Sequence, residues 1–461
     1  MTVCEGKRLM APVRAARPLR FVAWRSAFRQ GLLVLGDQGF RSASTFLAAM
    51  LVGRACGQVE YGFYTLLLTI LVSAEAFQAA LVTTPYVVQN PSRAAKDKDI
   101  YLGNAVLIQL LIAASTSAGL LGVLYVFPLA SSGDLSRRIL PAFALAYFAV
   151  LFREFFRQVL LADLEVGWNL VFGAAVHGSL ILVLLGLILV GGLNAWTAYA
   201  SVAGCSLIPA LVVLASKGRR IRFRVQGLGG QLLDNWRIGR WLVAQAVIMI
   251  VSGPVYSWVL ASSRGAATVG LLGACLLPSS VMSPLAQALQ AFLLPKASHG
   301  VQRGIHHVRR IVFLSSVIVG LPLFVFPVVL GLFSQTIMDA LFAGKYNPSG
   351  WLVLFFALRT YVVVVFVPLQ AGLIACRQTY ATFKSEVISL VLTMLVGLPL
   401  TCILGVWGVA WGFLLTRLLS KLYLMMVFRR YMKSSLDTGP VPEVADVGSP
   451  DTLPVVQAAP L

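Results

Sequence analysis

The sequence predicts an all-α polytopic membrane protein of about twelve transmembrane helices, in two six-helix bundles related by a pseudo-twofold axis along the membrane normal. Three observations predict it. The 461 residues are 58% hydrophobic and only 12% charged, with a mean hydropathy of +0.84, whereas soluble domains carry about a quarter charged residues. Apolar runs of about 20 residues, long enough to cross a ~30 Å hydrocarbon core at 1.5 Å per residue, follow one another from Gly31 to Phe428. Features of the first half also recur about 210 residues later in the second.

Twelve spans are read at residues 31–53, 61–82, 101–127, 139–161, 168–190, 196–215, 240–260, 267–292, 311–333, 351–375, 386–405 and 409–428. They divide the chain into a basic arm (1–30), a first bundle (31–215), a basic linker (216–239), a second bundle (240–428) and a tail (429–461). Of the 37 Lys and Arg residues, 26 fall on the side of the termini and 5 on the other. By the positive-inside rule that side is cytoplasmic, and both termini lie there. The arm resembles the first part of a signal peptide. The run behind it is too long, carries Asp37 and Arg41 and lacks a small-x-small cleavage site, so it stays as a span. The tail, rich in Pro and acidic residues, has no helical period and is expected to be disordered.

The net charge of +20 does not mark a nucleic-acid protein, because the basic residues punctuate span ends instead of forming one stripe. The six cysteines lie far apart and read as small apolar residues, with neither a disulfide framework nor a metal site. No loop exceeds about 25 residues, which leaves no large extramembrane domain for catalysis, and no nucleophile–base pair is present.

The repeat is explicit in the residues. Trp24-Arg25 and Arg29 precede span 1 as Trp236-Arg237 and Arg240 open span 7; Arg54 follows span 1 and Arg264 follows span 7. Tyr61-Gly62 and Val269-Gly270 enter the next span, and Pro85 and Pro295 come after it. Six spans separate the copies, so both halves insert the same way up, a common plan for transporters with a central cavity.

A first span ending Gly53-Arg54, then Glu60-Tyr61-Gly62-Phe63-Tyr64 opening the second, resembles the oligosaccharide flippase branch of the multidrug/oligosaccharidyl-lipid/polysaccharide exporter superfamily. Ala80-Leu81 through Pro85, and Arg153-Glu154-Phe155-Phe156-Arg157 at the end of span 4, fit the same pattern. The resemblance implies two bundles around a cavity open alternately to each side. It implies translocation of a polyprenyl-diphosphate-linked oligosaccharide across the bacterial inner membrane, with no cofactor and a proton or sodium gradient as driving force. The partners implied are that lipid-linked oligosaccharide, membrane lipids, and polysaccharide polymerase and chain-length proteins, with no nucleic acid. Lipid II flippases typically have fourteen spans and cavity arginines in spans 2 and 8. Here span 8 is uncharged and span 2 carries only Glu75, which points to capsule, O-antigen or exopolysaccharide units. The rival readings are a multidrug or cation exporter of the same superfamily and a membrane-embedded polymerase or glycosyltransferase; a non-transporting scaffold is a third.

Charges inside the spans cost about 2.5–3.5 kcal/mol each on insertion scales and therefore need a reason. Asp37 and Arg41 share one helix face at i and i+4. Either Arg41 grips the diphosphate and Asp37 the coupling cation, or the two form an ion pair that neutralises itself. Arg359, about 12 Å into span 10, has no acid within one turn and is the leading candidate for a cargo ligand; the alternative is a bond to helix carbonyls or to Glu75. Glu75, with Gln78 one turn on, is the second candidate for cation coupling, or else a neutral carboxyl hydrogen-bonded between helices. Arg153 and Arg157 read either as a vestibule for an incoming diphosphate or as a snorkelling group paired with Glu154. Arg417 and Lys421 read as anchors at the headgroups, and His177 as a packed or hydrogen-bonded histidine. Gly227-Leu228-Gly229-Gly230 reads as a flexible connection. Prolines concentrate in spans 7 to 11, where they predict kinks.

Overall fold

The computed structural model describes residues 18–90, 95–126, 133–163, 165–218, 221–224, 228–346, 350–376 and 378–437, and every regular element among them is helical. The first half contains α1 (Pro18–Ala55), α2 (Gln58–Gln89), α3 (Ala95–Val126), α4 (Gly133–Ala162), α5 (Val166–Leu189) and α6 (Ala195–Lys217). The second contains α7 (Leu228–Ser252 continued by Val255–Arg264), α8 (Ala266–Ser280 with Ser283–Gln302) and α9 (Ile305–Leu323 with Val325–Leu332). The short α10 (Ser334–Phe342) precedes α11 (Gly350–Val365 with Val367–Ala375), α12 (Thr379–Leu404) and α13 (Val406–Asp437). Ten of these are long and apolar enough to cross a membrane; α8, bent by 45° between its two pieces, is an eleventh. α1, whose apolar stretch carries Asp37 and Arg41, covers the first span read from the sequence.

Helices run past the expected span ends at many places, most clearly at three. α1 starts inside the basic arm, α7 starts at Leu228 inside the linker, and α13 runs through Arg430 and Lys433 to Asp437 in the tail. Hydropathy marks only the length buried in hydrocarbon. Lys, Arg and Gln are good helix formers, and nothing at the headgroup level stops the hydrogen-bond ladder. Leu228-Gly229-Gly230, part of the stretch expected to be a flexible connection, is thus the first turn of a helix. The rest of the expected disordered tail and residues 1–17 of the arm lie outside the described residues.

Breaks follow the prolines, and they differ between halves. α7 breaks at Gly253-Pro254, α8 ahead of Pro284, α9 ahead of Pro327 and α11 ahead of Pro368, and α12 widens into a π turn (Thr393–Gly397) ahead of Pro399. Proline has no N–H and its ring crowds the carbonyl one turn back, so the ladder opens just before it. In the first half Pro141 and Pro209 sit inside unbroken helices, and the irregularity is the π turn Ala79–Thr83 ahead of Pro85.

The two halves meet where the repeat places matching glycines. A Cβ on Gly62 would lie 1.8 Å from the carbonyl oxygen of Ala266, and one on Gly270 would lie 2.4 Å from that of Gln58. Each glycine faces the residue one turn before the other, which is the reciprocal contact that a twofold axis generates. Only glycine lets α2 and α8 approach this closely.

The end of the molecule that carries the helix termini rich in Lys and Arg is called the basic end below, and the opposite one the distal end. At the distal end one apolar core runs through both halves, joining Val52, Tyr61, Phe143 and Tyr199 to Tyr256, Leu272, Phe342 and Phe356. Towards the basic end it divides. One cluster holds Tyr86, Tyr101, Phe155 and Phe156 of the first half, and another holds Val312, Leu373, Leu424 and Phe428 of the second. α7 still bridges there, with Gly239 packed on the Ala80 carbonyl in the π turn of α2.

Candidate functional site

Two polar clusters lie in the part of the membrane span where the core divides. In the first half, three helices contribute charges. Arg41 on α1 donates from Nη2 to Glu75 Oε2 on α2 at 3.1 Å and lies 3.5 Å from Glu154 Oε2 on α4. Arg153 reaches the other Glu75 oxygen at 3.5 Å and donates to Ser206 Oγ on α6 at 3.4 Å. Arg157 grips Glu154 with Nε and Nη2 at 2.6–3.0 Å, and its Nη1 lies 3.7 Å from Asp37 Oδ2. Asn169 on α5 completes the ring by donating to the same Asp37 oxygen at 3.0 Å. Three arginines and three carboxylates therefore form one network that is formally neutral.

The backbone is cut to fit that network. Asp37 is only 5% exposed and its Oδ1 lies where a side chain on Gly173 would begin, 2.2 Å from an ideal Cβ. Gly173 follows Asn169 by one turn, so one face of α5 supplies both a donor and the space for the carboxylate. Deeper in, Gln78 donates to the Leu151 carbonyl at 2.7 Å and is buried. His177 is buried on α5 within electrostatic range of Arg153, and its Nδ1 has no hydrogen-bond partner among the described residues.

The second cluster is built differently. Glu386 on α12 accepts from Arg417 at 3.0 Å and lies 3.5 Å from Lys421, both on α13; Lys421 also reaches Gln370 on α11 at 3.5 Å. Arg359 on α11 lies over the Phe413 ring, 4.8 Å from its centroid, and its Nε has no hydrogen-bond partner among the described residues. Arg417 acts on it electrostatically, with no carboxylate to offset it. Three cations thus face one acid, against equal numbers in the first cluster.

Several expectations are corrected here. Asp37 and Arg41 share a face but do not pair: each has better partners on another helix. Arg157 turns inward to Glu154 and Asp37 instead of snorkelling, and Arg417 and Lys421 turn inward to Glu386, with Lys421 only 3% exposed. Arg359 meets neither helix carbonyls nor Glu75; it rests on an aromatic face. In each case an ion in hydrocarbon gains more from a buried counter-charge or ring than from stretching to the headgroups. Asn169, Gly173 and Ser206 carry no charge and were not singled out in the sequence. The only trace was a polar residue and a glycine one turn apart in Trp168-Asn169-Leu170-Val171-Phe172-Gly173.

Solved structures share this fold. An inward-facing multidrug resistance MATE family transporter of the MOP superfamily superposes with a TM-score of 0.66 at 11% identity, covering 88% of this chain and 96% of that one. The lipid II flippase MurJ in an inward closed conformation gives 0.64 at 14% identity, with 86% and 87% covered. An outward-facing MATE transporter of the same superfamily gives 0.53 at 11% identity, with 89% and 96% covered. The chain has the fold of these transporters. No family model and no curated protein matches the sequence.

Proposed function

We propose that the protein is a flippase that carries a polyprenyl-diphosphate-linked oligosaccharide across the bacterial inner membrane, with its basic end in the cytoplasm. The observation that carries this reading is the charge imbalance of the second cluster. Arg417 and Lys421 share one carboxylate, and Arg359 has none among the described residues. A desolvated guanidinium held ready without an anion is a seat for one, and its planar fork matches phosphate oxygens. The prenyl tail stays in lipid while the diphosphate and sugars pass between the bundles. A cavity for cationic drugs calls for the opposite imbalance.

The neutral network of the first bundle serves coupling. Glu75 is shared by Arg41 and Arg153, and Asp37 by Arg157 and Asn169. A proton or sodium ion on either carboxylate releases arginines that then need new partners, so the network has two arrangements that bias which end is open. Polymerase and chain-length proteins take the unit on the far side, and capsule, O-antigen or exopolysaccharide is the product.

The test is leaflet-selective labelling of the lipid-linked glycan in cells deleted for the gene. Accumulation on the cytoplasmic leaflet is expected, with export restored by the wild type and not by Arg359→Ala inserted at equal level. Normal translocation with unpolymerised units outside would sink the reading and favour a polymerase.

A further inference from the structure

The second bundle carries an apolar groove of about 450 Å³ on its basic half that neither polar cluster uses. Its walls come from α9, α11 and α13, with Phe313, Ser316, Phe366 and Met425 along its length and Arg309 and Arg429 at its mouth. The break of α11 at Phe366 forms part of the wall, so the groove exists because a proline-linked interruption separates helix segments that would otherwise close on it. Phe313 is 70% exposed, which in a membrane means that it faces lipid. Both arginines are exposed, and neither has an ion-pair partner among the described residues. α9 and α11 contain no acidic residue at all, and Glu386 on α12 is held by Arg417 and Lys421.

We propose that this groove binds an anionic phospholipid of the leaflet at the basic end, one acyl chain lying along the apolar walls and the phosphate between Arg309 and Arg429. The charge pattern selects the occupant. Two unpaired guanidiniums at headgroup depth above an apolar slot complement a phosphodiester with a hydrocarbon chain attached, and basic recesses between transmembrane helices on the cytoplasmic side are where anionic headgroups lodge. A zwitterionic lipid fills the slot equally well but places its own cation among the arginines. A lipid seated there splints α9, α11 and α13, the helices beside the Arg359 cluster, and does so whatever cargo the protein carries.

The test is native mass spectrometry of the full chain titrated with phosphatidylglycerol or phosphatidylcholine. At about five-fold per arginine near an anionic headgroup, the wild type is expected to retain phosphatidylglycerol roughly thirty-fold more tightly. Arg309→Gln with Arg429→Gln should bring it down to the phosphatidylcholine level, and both sites are exposed, so the fold is expected to survive. Ser316→Trp, which fills the slot and keeps the arginines, should abolish tight retention, while Ser316→Ala keeps it. A preference unchanged in the double arginine variant overturns the proposal. So does equal competition by inorganic phosphate, which would make the site a free-anion site. Displacement of phosphatidylglycerol by a polyprenyl phosphate at lower concentration would also overturn it, giving the groove to the tail of the cargo.

Discussion

At the scale of single residues, charge and partner count separate arginines held by carboxylates from Arg359, which has none among the described residues. Arg157 holds Glu154 and Asp37, so Arg157→Gln strands two buried carboxylates and is expected to cost about 3–5 kcal/mol of stability. Arg359 has no acid to strand. Arg359→Leu removes a desolvated charge with an unsatisfied Nε, and denaturation in detergent should show stability unchanged or raised by about 1–3 kcal/mol, with translocation lost. The opposite ranking in the same two assays would take Arg359 out of the cargo site. Gly173→Ala tests the coupling network without touching a charge. Its methyl would begin 2.2 Å from Asp37 Oδ1, so the carboxylate must leave Asn169. A loss of about 1–3 kcal/mol from overpacking is expected, together with an altered cation dependence of transport; an unaltered dependence would remove Asp37 from coupling. The sequence could show that Asp37 and Arg41 share a face, because i and i+4 spacing is local. It could not show that their partners come from α2, α4 and α5, since pairing across more than a hundred residues is set by how helices pack.

At the scale of helices, almost everything was legible. An apolar run of about 20 residues has few fates, and each of the expected runs lies within a helix or a bent pair of helices among the described residues. Most of the prolines of the second half mark its interruptions, with breaks just ahead of Pro284, Pro327, Pro368 and Pro399, whereas Pro278 and Pro322 sit inside continuous helical segments. Helix ends were not legible, because Lys and Arg continue a helix as readily as they punctuate hydropathy. The repeat carried further than its residues suggested: Gly62 and Gly270, paired only by offset, touch each other's helices across the pseudo-twofold contact. That contact has a sharp test. Gly62→Ala and Gly270→Ala each drive a methyl into a carbonyl, and each is expected to cost about 1–3 kcal/mol or more in thermal unfolding. Gly36→Ala on α1 meets nothing within 4 Å and should be neutral or slightly stabilising. Equal behaviour of the three variants would mean that α2 and α8 do not approach as described.

At the scale of the molecule, the distal end is held shut by contacts that the two bundles make with each other's helix ends. Arg54, at the end of α1, donates to the Leu341 carbonyl at 2.8 Å and to that of Ala340, both at the end of α10. Lys345 returns the favour to the carbonyls of Arg54, Ala55 at 3.1 Å and Cys56 at 3.2 Å, and Gln58 donates to the Lys345 carbonyl at 2.8 Å. Cations at helix C-termini meet orphan carbonyls and the negative end of the helix dipole, so both ends gain. Beneath this latch Phe342 packs on Gly53 and stacks its edge on Tyr346, 5.1 Å between centroids. Among the described residues no such latch joins the two apolar clusters at the basic end, where α7 bridges from Gly239 to Ala80 and from Gln231 to Tyr101, so the halves are held more firmly at the distal end. Carriers that alternate must break such a seal in each cycle, and its strength sets the balance between the two states. Arg54→Ala with Lys345→Ala leaves the apolar core intact while removing the polar latch. A loss of about 1.4 kcal/mol there shifts the balance tenfold. Spin labels at Val59 and Asp339, in a background without other cysteines, are expected to show a short distance in the parent and a second, longer population in the double variant. A distance distribution identical in both would mean that the aromatic packing alone keeps the distal end closed, and that opening is governed from the charged network at the other end.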